Sequence, residues 1–176
     1  MVKRMRTGFR VGGLVVLLGA AGLLAEHVEV RQTPLFVIER STNANVVHYD
    51  ANIGADGQID PRRPVSAYWI MAAADGRREE LTSLERAKAY GFSIEPGPDP
   101  QSYHLRLVAQ KQRDIEIVRQ GGQVRAQSMI DGRLAWLQKM YVSTHKVLAV
   151  PSVKYIDFFG VDVATGQDVT ERFFPN

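Results

Sequence analysis

The chain of 176 residues contains no cysteine. That excludes disulfides, a thiol nucleophile, zinc–thiolate sites and a lipid-modified cysteine at a mature N-terminus. Acid is missing from the first 25 residues, where Lys3, Arg4, Arg6 and Arg10 stand alone. Beyond them a positive surplus is missing. The whole chain has 22 Lys plus Arg against 19 Asp plus Glu, and the four leading cations leave 18 against 19 for the remainder. A nucleic-acid binder neutralises phosphates with such a surplus, so no nucleic acid is expected as a partner. The one long apolar run, residues 11–25 (VGGLVVLLGAAGLLA), is shorter than the ~20 residues of a comfortable membrane span.

A basic cluster followed by a short apolar core reads as an export signal, which places the working protein in the periplasm or cell envelope. Cleavage prefers small residues at the cut and two before it. Gly19 with Ala21, or Ala20 with Gly22, fit but leave a short core, and a cut after Ala25 places Leu23 in the earlier position. Residues 1–25 are therefore read as a signal peptide or, uncleaved, as an N-terminal anchor and the only membrane contact. Residues 26–33 form a polar linker, and residues 34–176 a single domain large enough to hold its own core without disulfides.

Period-two alternation with intervening turn residues predicts a mainly β domain, an antiparallel sandwich or barrel of eight to nine strands. The strands are expected at 35–40, 45–50, 65–71, 103–109, 114–119, 123–130, 133–142, 153–162 and 168–173, with Asp131-Gly132 as a hairpin turn. One short helix is expected near 82–90. Thr82-Ser83-Leu84-Glu85 has the form of a capping box, and Gly91 is suited to a left-handed stop. At ~100° per residue Leu81, Leu84, Ala87, Lys88 and Gly91 share one side, which predicts an amphipathic helix lying on the sheet.

Several segments, taken in order, resemble the bacterial family known as domain of unknown function 4833. They are residues 35–41 (LFVIERS), Asn45 with 49–52 (YDAN), Pro64-Val65 with 68–70 (YWI), 89–91 (AYG), and Tyr155-Ile156 with Gly160. The resemblance spans about residues 34–174 and implies a single envelope domain. It transfers no functional residue.

Chemistry-bearing motifs are few. Residues 52–63 (NIGADGQIDPRR) approximate a calcium loop, yet Gly54 and Arg63 occupy positions that need acids, so the segment reads as a turn and no metal is expected. His27, His48, His104 and His145 lack the short spacing of a metal pair. There is no G-x-S-x-G, and no catalytic residue or cofactor is predicted. The aromatic strand 65–71 and the turn 88–90 remain as the wall of a cleft where the helix ends. Tyr68, Trp69, Lys88, Tyr90 and His48 are the predicted ligand-binding residues, with Lys88 facing an acidic head group. The expected function is a non-enzymatic binding module for an apolar or lipid-like molecule. The alternatives are an exported hydrolase using His48, or a scaffold contacting other envelope proteins.

Overall fold

A computed structural model describes residues 31–147 and 150–175. The leader expected over residues 1–25, and residues 26–30 of the linker, lie outside the described residues. The first strand, β1 (Arg31–Arg40), takes in the last three linker residues and pairs them with the end of β2 (Asn43–Ile53). Then come β3 (Val65–Met71), β4 (Arg77–Glu80), the short helix α1 (Ser83–Glu85), β5 (Phe92–Pro96), β6 (Tyr103–Leu107) and β7 (Gln110–Gln120). The chain closes with β8 (Gln123–Ile130), β9 (Arg133–Val147), β10 (Val150–Asp162) and β11 (Asp168–Phe173).

The domain is mainly β with one short helix, as the alternation predicts. The described residues hold eleven strands rather than eight to nine. The two additions, β4 and β5, flank the helix. β4 reads RREE and has no apolar alternation to reveal it, while β5 is only five residues long. Both are made strands by their neighbours, β3 and β6.

Nine strands follow one path, β4-β3-β2-β1-β9-β8-β7-β6-β5, which curls into a half-barrel. The junction is β9. β10 lies antiparallel along nearly its whole length, from Ala135 to Val147. The opposite edge is shared: β8 takes Arg133 to Trp136, and β1 takes Lys139 to Val142 in parallel. The sheet therefore forks into a β1–β4 branch and a β8–β5 branch. Pro34 stands in the fork, where β1 is paired to β2 but not yet to β9, so its missing N–H interrupts no ladder.

The core fills the concave side. Phe36 and Tyr49 stack with ring centroids 4.5 Å apart, and Tyr49 meets Phe92 of the other branch edge-on at 6.1 Å. Ile117, Leu105, Phe158 and Met140 are buried beside them. The turn from β8 to β9 has Asp131 at φ 49° and Gly132 at φ 71°, the two left-handed residues of a tight primed hairpin.

The helix differs from expectation in three ways. Its capping box is present, but α-helix ends at Glu85 and the chain continues as a wider π turn, Arg86–Tyr90. The predicted stripe does not lie on the sheet: Leu84, still within the α-helical residues, is exposed, and Lys88 reaches solvent as a cation on such a stripe is expected to. Gly91 is extended (φ −69°, ψ 166°), not left-handed. Its reason is proximity, because a β-carbon there would stand 1.9 Å from the Arg86 carbonyl oxygen.

Candidate functional site

The π turn overhangs one end of the half-barrel, and beneath it lies a cavity of about 380 Å³. Its walls come from distant parts of the chain. Ile38 of β1, Leu107 at the end of β6, Met140 and Val142 of β9, and Ile156 of β10 supply apolar surface. Arg40, Lys88 and Tyr90 also line it.

Tyr90 is held from three sides. Its carbonyl accepts the Tyr49 hydroxyl at 2.6 Å, its own hydroxyl accepts from Arg40 Nη1 at 3.3 Å, and its ring meets Trp69 edge-on at 5.0 Å. Trp69 in turn donates Nε1 to Glu85 at 3.1 Å and lies 4.4 Å under the Arg40 guanidinium. Glu85 also closes the capping box, accepting from the Thr82 amide and hydroxyl at 2.8 Å each. Burial pushes the Glu85 carboxyl up, but the bonds from Thr82 and Trp69 and the Arg40 charge outweigh it, leaving the carboxyl below its ordinary value. Arg40 thus has a carboxylate nearby. Lys88 is exposed and, among the described residues, makes no ion pair.

Of the five predicted residues, Lys88 and Tyr90 therefore line the cavity, and Trp69 stands behind Tyr90. Tyr68 and His48 are elsewhere. They are cross-strand partners on the convex face of β2 and β3, stacked with centroids 5.7 Å apart. Neighbouring strand residues point to opposite faces, so Tyr68 and Trp69 do not wall one cleft. The residues not named from sequence are Arg40 and the apolar walls. For Arg40 a signal exists: it follows Phe36 and Ile38 at period two, a cation continuing an apolar face.

The convex face carries its own polar cluster. Asp50 is 4% exposed; its Oδ2 accepts a hydrogen bond from the Tyr68 hydroxyl, and its Oδ1 is buried with no partner among the described residues. Ser66 donates to Asn52 Oδ1 at 3.1 Å, and Asn52 Nδ2 donates to the Arg63 carbonyl at 2.7 Å. Ser66 is thus committed to an amide rather than a base, and His48 bonds neither Ser66 nor Asp50 among the described residues. No nucleophile–base pair forms in this cluster. Elsewhere His104 Nδ1 lies 2.6 Å from Asp114, an exposed pair that the sequence reading did not single out. Among the described residues no three His, Asp or Glu side chains gather as a metal site, and no helix is long and apolar enough to cross a membrane.

Tyr68 gives a pH dependence. Its phenol is pushed up to about 12, by burial first, then by its bond to Asp50 and that carboxylate's charge, with Arg78 opposing. Below pH 10 the stabilisation is fully present. Between 10 and 12 the unfolded chain loses the proton and the folded one keeps it, so stability falls as pH rises. Tyr49, raised by burial and then by Tyr90, acts in the same direction. Urea midpoints should therefore decline across this range, and Tyr68→Phe should decline less. An equal decline in the variant would show that the Asp50–Tyr68 bond does not hold the proton.

Comparison with known proteins adds a family and no activity. The family model described as Domain of unknown function (DUF4833) matches residues 36–172, from the middle of β1 to the end of β11. Neither the curated proteins nor the solved structures hold a match to the chain. With the matched segment covering nearly all of the half-barrel, the chain belongs to the DUF4833 family.

Proposed function

We propose that this chain is a non-enzymatic binding module of the cell envelope, holding an apolar, lipid-like molecule with an acidic head under its π turn. The half-barrel acts as an open barrel, with residues 83–90 overhanging one end. One observation carries the reading: a cavity of about 380 Å³ combines apolar walls from four strands with Arg40 and with an exposed Lys88 that makes no ion pair among the described residues. That volume lies in the range typical of small-molecule sites.

Magnitudes divide the work between tail and head. Each buried methylene contributes about 0.8 kcal/mol, so an eight-carbon tail gains roughly 6 kcal/mol before ordering costs. An exposed ion pair adds about 0–1 kcal/mol. The walls supply affinity, and Lys88 supplies preference for an acid over a neutral head.

The experiment is native mass spectrometry of the chain extracted gently from its own envelope, followed by titration with decanoate and decanol. The expected results are a bound apolar mass and tighter binding of decanoate than of decanol. Lys88→Glu should abolish that preference while changing decanol affinity little. Val142→Asp, which puts a charge in the wall, should prevent both from binding. Protein that is empty as isolated and indifferent to both probes overturns the proposal.

A further inference from the structure

A second cavity, of about 600 Å³, opens at the other end of β1. β1 is ten residues long, so its two ends stand about 30 Å apart. Three arginines line this cavity, each from a different element: Arg31 at the start of β1, Arg119 near the end of β7, and Arg125 in β8. No carboxylate lines it, and none of the three arginines is in an ion pair among the described residues. Composition does not force this clustering, because past residue 25 the chain carries one more acid than base.

Two of the three are fixed by contacts of their own, while Arg31 is exposed at the start of its strand. Arg119 donates Nη2 to the Gly57 carbonyl, which fastens β7 to the loop after β2, and its Nε is sealed from solvent with no partner among the described residues. Arg125 donates Nε to Gln123 Oε1 at 3.1 Å, and its guanidinium lies 5.2 Å from the Trp136 ring centroid. Carbonyl and amide oxygens orient the Arg119 and Arg125 forks, and among the described residues no carboxylate compensates their charge. Like charges held in one concavity repel, and an oxyanion relieves that repulsion.

The geometry points to a phosphate-ester binding site formed by Arg31, Arg119 and Arg125. Guanidinium forks match phosphate oxygens in pairs, and the cavity has room for the group the phosphate carries. The phosphate belongs either to a soluble ester or to a lipid headgroup. The inference is independent of the apolar cavity, sharing no lining residue with it.

Trp136 makes the test direct. The chain has two tryptophans, so Trp69→Phe in the full chain leaves Trp136 as the sole indole, beside Arg125. Glycerol 1-phosphate is titrated at constant ionic strength, reading emission and heat; vesicles of phosphatidylglycerol and of phosphatidylcholine are the second arm. Saturable binding of the ester assigns a soluble ligand. A response to phosphatidylglycerol vesicles alone assigns a headgroup. In either case Arg119→Gln should weaken binding at least about tenfold, as the loss of one charge-assisted bond implies. Arg31→Gln, at an exposed strand start, should also weaken it and keeps the test decisive if Arg119→Gln does not fold. No emission change or heat in either arm, or affinity unchanged in both variants, overturns the site.

Discussion

Tyr49→Ala is expected to lower the stability of the domain by about 3–5 kcal/mol, the range for deleting a fully buried aromatic ring. Tyr49 has no exposed surface, and its ring joins the two branches of the fork by stacking on Phe36 and meeting Phe92. Its hydroxyl does something separate, holding the Tyr90 carbonyl at 2.6 Å. Tyr49→Phe keeps the ring and removes only that donor, so the expected cost falls to about 1–3 kcal/mol. Equilibrium urea unfolding of both variants separates packing from hydrogen bonding. Because Tyr90 lines the apolar cavity, Tyr49→Phe should also weaken decanoate binding. A Tyr49→Phe protein as stable as the parent would show that the bond to Tyr90 contributes nothing net.

Gly91→Ala carries the second large effect. The backbone at Gly91 is extended and open to any residue, so conformational preference predicts no penalty. Sterics predict a severe one: the new methyl would stand 1.9 Å from the Arg86 oxygen, and a main-chain atom cannot rotate aside. The π turn must open, which disturbs the bond from the Val108 amide to the Gly91 carbonyl, now 2.9 Å, and displaces Tyr90. We expect a loss of about 3 kcal/mol, at the upper end for overpacking. The shape of the apolar cavity should be lost before global unfolding, visible as weakened decanoate binding at denaturant concentrations where the sheet is intact. A Gly91→Ala chain within about 0.5 kcal/mol of the parent would mean that the turn tolerates an ordinary α-helical end.

The sequence conveys local features well and distant ones hardly at all. The strand expected at 65–71 is β3 to the residue, because VSAYWIM is a dense β-forming run. The Asp131-Gly132 turn and the Thr82 capping box are equally local, each set by residues within four positions. The π turn is not legible, since its residues RAKAY suit an α-helix as well. At the candidate site, Lys88 and Tyr90 can be named because they end the one helix. Grouping Tyr68 and His48 with them conflicts with strand alternation, a rule available from sequence alone. The apolar walls are the opposite case. Ile38, Leu107, Met140 and Ile156 look like ordinary core residues, and only the fork at β9 reveals that they surround a space.

That fork also bears on how fast the domain can form. Ser41 Oγ lies 3.3 Å from Thr144 Oγ1, its partner across the parallel junction, and 103 residues separate them along the chain. β1 to β4 can assemble early as hairpins, but one flank of β1 stays bare until β9 arrives to cover it. Closing so long a loop before any contact rewards it makes folding slow, on the millisecond-to-second scale of high-contact-order β proteins. Because β9 begins at Arg133, three quarters of the chain must be in place before β1 can lock. The same interval leaves an open strand edge, which makes β1 the segment through which unfinished molecules would associate.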